Sequence, residues 1–256
     1  MTKRWHCGLT LIEMLVAMVI SLFALVSVSE IYLTTKQTRR VQTMQTPLTD
    51  EGRFAISMFQ RLIAQAGFRP SPLTPLDPSR LSVAANVMTL RFTSDGANQM
   101  VCDGTIPAAG AAQSLVIQRV GNALECATNG SAVPDQWVAP AAVGSGNGAE
   151  VIDFHVSVGI DTAPLTPENF GCGIAAAGDK PRDCIADSYV SVLPPGVVTE
   201  QIVSARICLL LRSEATDASV QKPADVNDCS GAAIASSQND NRLYRVFRTT
   251  VLLQNR

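Results

Sequence analysis

The residues of this 256-residue chain that could do chemistry are few, and their spacing does not suit catalysis. Histidine occurs only at His6 and His155. His155 alternates with Ile152, Phe154 and Val156, so it is expected on the opposite, solvent-facing side of a strand with Asp153 and Ser157. There it lacks the nucleophile and orienting partner that a catalytic imidazole needs. No Gly-rich phosphate loop, paired-carboxylate motif or nucleophile elbow is present, so no enzymatic activity and no cofactor are expected. The runs Asp225-Val226-Asn227-Asp228 and Asn239-Asp240-Asn241 carry oxygens that suit calcium. Their spacing is not that of an EF-hand, and Asn and Asp also favour turns for local reasons, so solvated loops are the expectation. Seven cysteines remain to be placed. Cys7 lies apart near the start, leaving Cys102, Cys126, Cys172, Cys184, Cys208 and Cys229. None has the two-residue spacing of zinc ligands, so disulfides formed in an oxidising compartment are the better reading. The last reactive group is Glu13, the single charge between Leu9 and Ser29.

That carboxylate sits in the element that dominates the sequence. Leu9 to Ser29 is 21 residues long, and at about 1.5 Å per residue a helix of this length matches the roughly 30 Å core of a bilayer. Leu11, Leu15, Val16, Val19, Ile20, Leu22, Phe23, Leu25 and Val26 cover every side of it, as a membrane span requires. Lys3 and Arg4 precede the span and would hold its start in the cytoplasm, while Lys36, Arg39 and Arg40 follow it and weaken that asymmetry. A formal charge of -2 without a basic cluster gives no footprint for nucleic acid.

An acidic side chain inside a spanning helix costs on the order of 2.5 to 3.5 kcal/mol at the centre, so Glu13 needs a reason. The run Gly8-Leu9-Thr10-Leu11-Ile12-Glu13-Met14-Leu15-Val16-Ala17 resembles the class III signal of type IV pilins and pseudopilins. The resemblance implies a leader, residues 1–8, that a prepilin peptidase removes after Gly8, and N-methylation of the new terminus at Leu9. It also implies that Glu13 guides the subunit into a growing filament. Cutting there would release an amine close to Glu13, largely protonated at neutral pH and able to pair with it in the same or a neighbouring chain. Leu9 stands where the family usually has phenylalanine. A secretory signal ending at Ser27-Val28-Ser29 would leave the length of the run and Glu13 unexplained. A plain anchor would leave the Thr-Leu-Ile-Glu core unexplained.

Beyond the span, residues 30–68 read as an amphipathic continuation of the helix. Val41, Met44 and Leu48, then Ala55, Phe59, Leu62 and Ala66, recur at three- and four-residue spacing, widened by Met58 and Ile63. Pro47 and Gly52 predict a kink or local break, and Gly67 and Pro70 a stop. Glu51-Gly52-Arg53-Phe54-Ala55 and Gln65-Ala66-Gly67-Phe68 resemble the helix end of PilW-type minor pilins. Tyr244 to Val251, with Gln254-Asn255-Arg256, resembles the last strand of that family.

Residues 69–256 are expected to form a periplasmic β-rich head, giving an α+β pilin-like fold in which the helix packs on an antiparallel sheet. About five strands are expected: Met88, Leu90 and Phe92; Leu115 to Val120; Ile152 to Val158; Val203 to Leu211; and the final segment. Long loops fall at 70–80, 138–149, 163–187 and 214–241, with the cysteines in or beside them. Six cysteines allow fifteen pairings; those expected are Cys102 with Cys126, Cys172 with Cys184, and Cys208 with Cys229. Trp137 and Phe170 are placed in loops, as anchors for a neighbouring subunit or as buried side chains. The resemblance implies a non-catalytic minor pilin of the inner membrane, working with other minor pilins, the major pilin and the peptidase. A type II secretion pseudopilin and a membrane-anchored adhesin are the rival readings.

Overall fold

The structure is a computed structural model, and it describes residues 10–71, 73, 77–84, 86–141, 148–162 and 184–255. The chain divides into two compact units, Met1–Thr43 and Met44–Arg256.

In the first unit the described residues belong almost wholly to the start of helix α1 (Leu11–Gln65). Its large apolar side chains are exposed from Leu11 to Leu33, and the window apolar enough to cross a membrane is entirely unburied. Such a surface is stable in lipid and costly in water. The hydroxyls within it are satisfied internally. Ser21, Ser27 and Ser29 donate to the carbonyls of Ala17, Phe23 and Leu25 at 2.7, 3.0 and 2.9 Å. This back-bonding is how a serine is carried through hydrocarbon without an unpaired donor.

In the second unit α1 is buried along one stripe: Met44, Leu48, Gly52, Ala55, Met58, Phe59, Leu62 and Ile63. Of the kink or break expected at Pro47 and Gly52, the break is not found: the helix runs through both residues. Proline inside a helix costs about 3 kcal/mol. Burial of Met44 and Leu48, on either side of it, returns about 1.5 to 3 kcal/mol each. Gly67 ends the helix with φ 75°, its amide donating to the Arg91 carbonyl at 2.8 Å.

Nine strands are found among the described residues, where about five were expected, and they form two antiparallel sheets. The first is a meander of β1 (Leu81–Ala84), β2 (Val87–Thr93), β3 (Ala112–Val120), β4 (Ala123–Thr128) and β5 (Asp135–Val138). In β2 the alternation holds as read, with Met88, Leu90 and Phe92 buried and their neighbours half-buried. The second sheet contains β6 (Ala149–Ile160), β7 (Ser188–Val190), β8 (Ile202–Ser213) and β9 (Tyr244–Leu252), in the spatial order β7-β6-β8-β9. A register shift between Val151 and Asp153 changes the face assigned to one residue: Val151 and Phe154 are buried, whereas Ile152 is only half-buried.

The helix supplies the centre of the core. Phe59 stacks on Phe154 of β6 and meets Trp137 of β5 edge-on, each at 5.5 Å between centroids. Trp137 is therefore a core residue on a strand, with its indole N–H donating to the Cys102 carbonyl at 3.1 Å. Phe170 lies outside the described residues.

Candidate functional site

Gly8 and Leu9 lie outside the described residues, so the geometry of the site begins at Thr10. The Thr10 amide and hydroxyl donate to Glu13 Oε2 at 2.9 and 3.0 Å, and the Glu13 amide donates back to the Thr10 hydroxyl at 3.3 Å. The Met14 amide closes the first turn on the Thr10 carbonyl at 3.2 Å. This is a capping box, in which each side chain answers an amide that the first turn of a helix leaves unpaired. The sequence signal was present as Thr-x-x-Glu and was read as a processing motif only. Thr10 is the residue that reading missed. The arrangement sets a carboxylate at the helix start, where the helix dipole favours negative charge.

In the head, side chains of β9 and the residues after it lace α1 in order. Arg245 donates to the Thr49 hydroxyl at 2.8 Å, the Phe247 ring fills the space beside Gly52, Gln60 donates to the Thr249 hydroxyl at 3.3 Å, and Asn255 donates to the carbonyls of Ala64 and Ala66 at 3.1 and 3.3 Å. Asn255 thus answers carbonyls at the end of the helix. Gln65 adds a two-way clamp, its side chain donating to the Met100 carbonyl and accepting the Met100 amide.

Disulfides join Cys102 to Cys126 and Cys208 to Cys229, two of the expected pairs. Cys184 is also disulfide-bonded, with its amide donating to Asp161 at 3.0 Å; its expected partner Cys172 lies outside the described residues. The segment after β8 is held against the second sheet by more than its disulfide. The Cys229 amide donates to Asp153 at 2.9 Å, Lys222 pairs with Asp240 at 2.7 Å, and the Tyr244 hydroxyl donates to Asp240 at 2.6 Å. Glu150 accepts from both Arg212 and Arg242.

The acidic runs weighed for calcium spend their oxygens locally. Asp225 accepts from the Gln238 amide and Asp228 from the amides of Ser230 and Ala232. These bonds hold the Asp228 carboxyl below its ordinary range, the Ser230 hydroxyl contributing most. Among the described residues no group of three acidic, histidine or cysteine side chains is placed to hold a metal. A titratable group the sequence did not single out is Glu51. Burial pushes it up to about 7, opposed by a hydrogen bond from the Ala149 amide and reinforced by the nearby charge of Glu214. His155 is half-buried on the outer face of β6.

Residues 6–29 match the prokaryotic N-terminal methylation motif. With the apolar helix and the antiparallel head, this defines a type IV pilin-like prepilin, anchored in the inner membrane and later part of a pilus. Residues 108–255, more than half of the chain, match the family of Type IV Pilus-assembly protein W, and the chain belongs to that family. Among solved structures it is similar to a type IV-like pilin from Thermus thermophilus, at 15% identity and a TM-score of 0.45, over 81% of this chain and 97% of that one. No curated protein matches the chain in sequence.

Proposed function

We propose that this chain is a non-catalytic minor pilin that joins other minor pilins to prime assembly of a type IV pilus, near its tip. The observation that carries this reading is the coincidence, in one chain, of the methylation motif over residues 6–29 with the assembly-protein family over residues 108–255. In this role a prepilin peptidase recognises Gly8 and cuts before Leu9, which becomes the methylated terminus. The amine released there lies one residue before Thr10, whose amide Glu13 already engages. A cationic terminus and a carboxylate at one helix start can pair within the chain or across to the next subunit, and in hydrocarbon that pairing would fix axial register.

The test has two parts. Mass spectrometry of the native amino terminus is expected to give methylated Leu9; a chain starting at Glu30 overturns the prepilin reading. Deletion is expected to remove surface pili, with loss restored by the wild-type chain. Normal pili together with failed exoprotein secretion would instead assign the subunit to a type II secretion system.

A further inference from the structure

The outer face of the second sheet carries a cavity lined by basic and hydroxyl side chains. Strand register sets two rows across it. His155, Cys208 and Arg248 lie opposite one another on β6, β8 and β9, and Ser157, Arg206 and Thr250 form the adjacent row. Successive residues on one face of a strand and facing residues on neighbouring strands lie only several ångströms apart, so all six converge. They line a cavity of about 620 Å³, completed by Tyr189 and Ser191 at the β7 side and by Cys229.

Two properties of the lining identify its ligand. The first is charge. Among the described residues the cavity is lined by two guanidinium groups and an imidazole and by no carboxylate, in a chain whose formal net charge is -2. Arg206 and Arg248 are diagonal neighbours, about 7 to 8 Å apart by strand geometry, where like charges repel unless an anion lies between them. Asp153, the nearest acid on the β6 outer face, is engaged by the Cys229 amide. Arg206 lies 3.6 Å from the Tyr189 ring centre, which fixes the plane of its guanidinium. The second property is the hydroxyl content. Ser157, Tyr189, Ser191 and Thr250 border the space, while the Thr249 hydroxyl turns to Gln60 of α1. A bare inorganic anion would need only the arginines and would leave most of this volume and these hydroxyls unused. The volume falls in the range of small-molecule sites, about 300 to 1,000 Å³.

We propose that this cavity binds a carboxylate-bearing sugar, its carboxylate between Arg206 and Arg248 and its ring hydroxyls against the serine and threonine side chains. The cavity lies on the sheet face opposite the one from which Arg245, Phe247 and Thr249 meet α1. Its sources can be an internal uronate of a polysaccharide or a terminal nine-carbon acid sugar.

Titration calorimetry on the full chain in detergent micelles tests this, with D-glucuronate, N-acetylneuraminate, D-glucose, inorganic phosphate and poly-glutamate as probes. At least one acid sugar is expected to bind at least tenfold more tightly than glucose and phosphate, and which one binds identifies the source. Arg206→Gln and Arg248→Gln, both exposed positions, should each weaken it at least tenfold, and Thr250→Val severalfold. Arg119→Gln, an exposed arginine of the other sheet, should leave it unchanged. Equal binding of glucose, tighter binding of phosphate, binding of poly-glutamate alone, no binding by either acid sugar, or unaltered affinity in both arginine variants would each overturn the assignment.

Discussion

A Cβ atom at position 52 would overlap the ring of Phe247, so Gly52 of α1 and Phe247 of β9 occupy complementary space. The glycine serves as a notch in the helix surface, and the strand that fills it also contacts Thr49 and Gln60. Gly52→Ala gains about 1 kcal/mol of helix propensity, but it must displace a partly buried ring, and overpacking costs about 1 to 3 kcal/mol. The variant should be less stable by denaturant midpoint. In the Phe247→Ala background the same change should become neutral or stabilising, and a strictly additive double mutant would show that the two residues are not coupled.

Glu51 predicts a pH dependence. Its folded-state pKa of about 7 lies above the ordinary 4.5, so the folded state holds a proton that the unfolded state releases. Stability from this site is therefore unchanged below about 4.5, falls as pH rises through the window, and is fully lost above about 7. The loss should be about 1 to 3 kcal/mol after allowance for partial solvent screening. Glu51→Gln keeps an acceptor for the Ala149 amide and removes the charge. Its stability relative to wild type should be level near pH 4 and highest near pH 8; a difference that does not change with pH would refute the assignment.

Reduction of the Cys208 to Cys229 bridge should cost about 3 kcal/mol by the loop-entropy relation for a separation of 21 residues. The effect should be local in kind. Double replacement by serine leaves the backbone amide at position 229 to Asp153, Tyr244 to Asp240 and Arg242 to Glu150 among the ties of the segment after β8. Limited proteolysis is expected to cut first between residues 214 and 241, whereas cleavage beginning in the first sheet would contradict this account.

The sequence made the helix stripe from Ala55 to Ala66 legible because burial on one side leaves a 3.6-residue period, and it made β2, β6 and β8 legible for the corresponding two-residue reason, while β9 stood out by its resemblance to a family strand. What it hid has physical causes. Strands β1, β5 and β7 have three or four residues, too few to display a period, and β4 is buried at consecutive positions Ala123 and Leu124. Pro47 and Gly52 are breakers by local preference, and tertiary burial overrode both. The segments 51 to 55 and 244 to 251 stood out separately as family-like stretches; in the structure they are two sides of one contact, made through Gly52 and Phe247. At the amino-terminal site, Glu13 was legible as an anomaly of charge. Its partner Thr10 was not, because an apolar run draws attention to membrane cost before helix capping.

Glu13 caps the helix start with Thr10, and under the proposed function it also pairs with a cationic terminus; substitutions can divide the two. As the fourth residue of a capping box it needs only an acceptor oxygen, which glutamine also supplies. As the partner of a cationic terminus at Leu9 it needs charge. Glu13→Gln should therefore keep the helix start and membrane insertion but reduce incorporation into filaments about tenfold, since loss of about 1.4 kcal/mol from one charge pair corresponds to that factor. Thr10→Val makes the opposite change, removing the hydroxyl that bridges the Glu13 amide and carboxylate while leaving the charge in place. It should cost about 1 kcal/mol of helix-start stability and retain most incorporation. Comparing sheared filaments with the membrane fraction by immunoblot reads both variants at once. If Glu13→Gln enters filaments as wild type does and Thr10→Val does not, capping rather than charge is the property on which assembly depends.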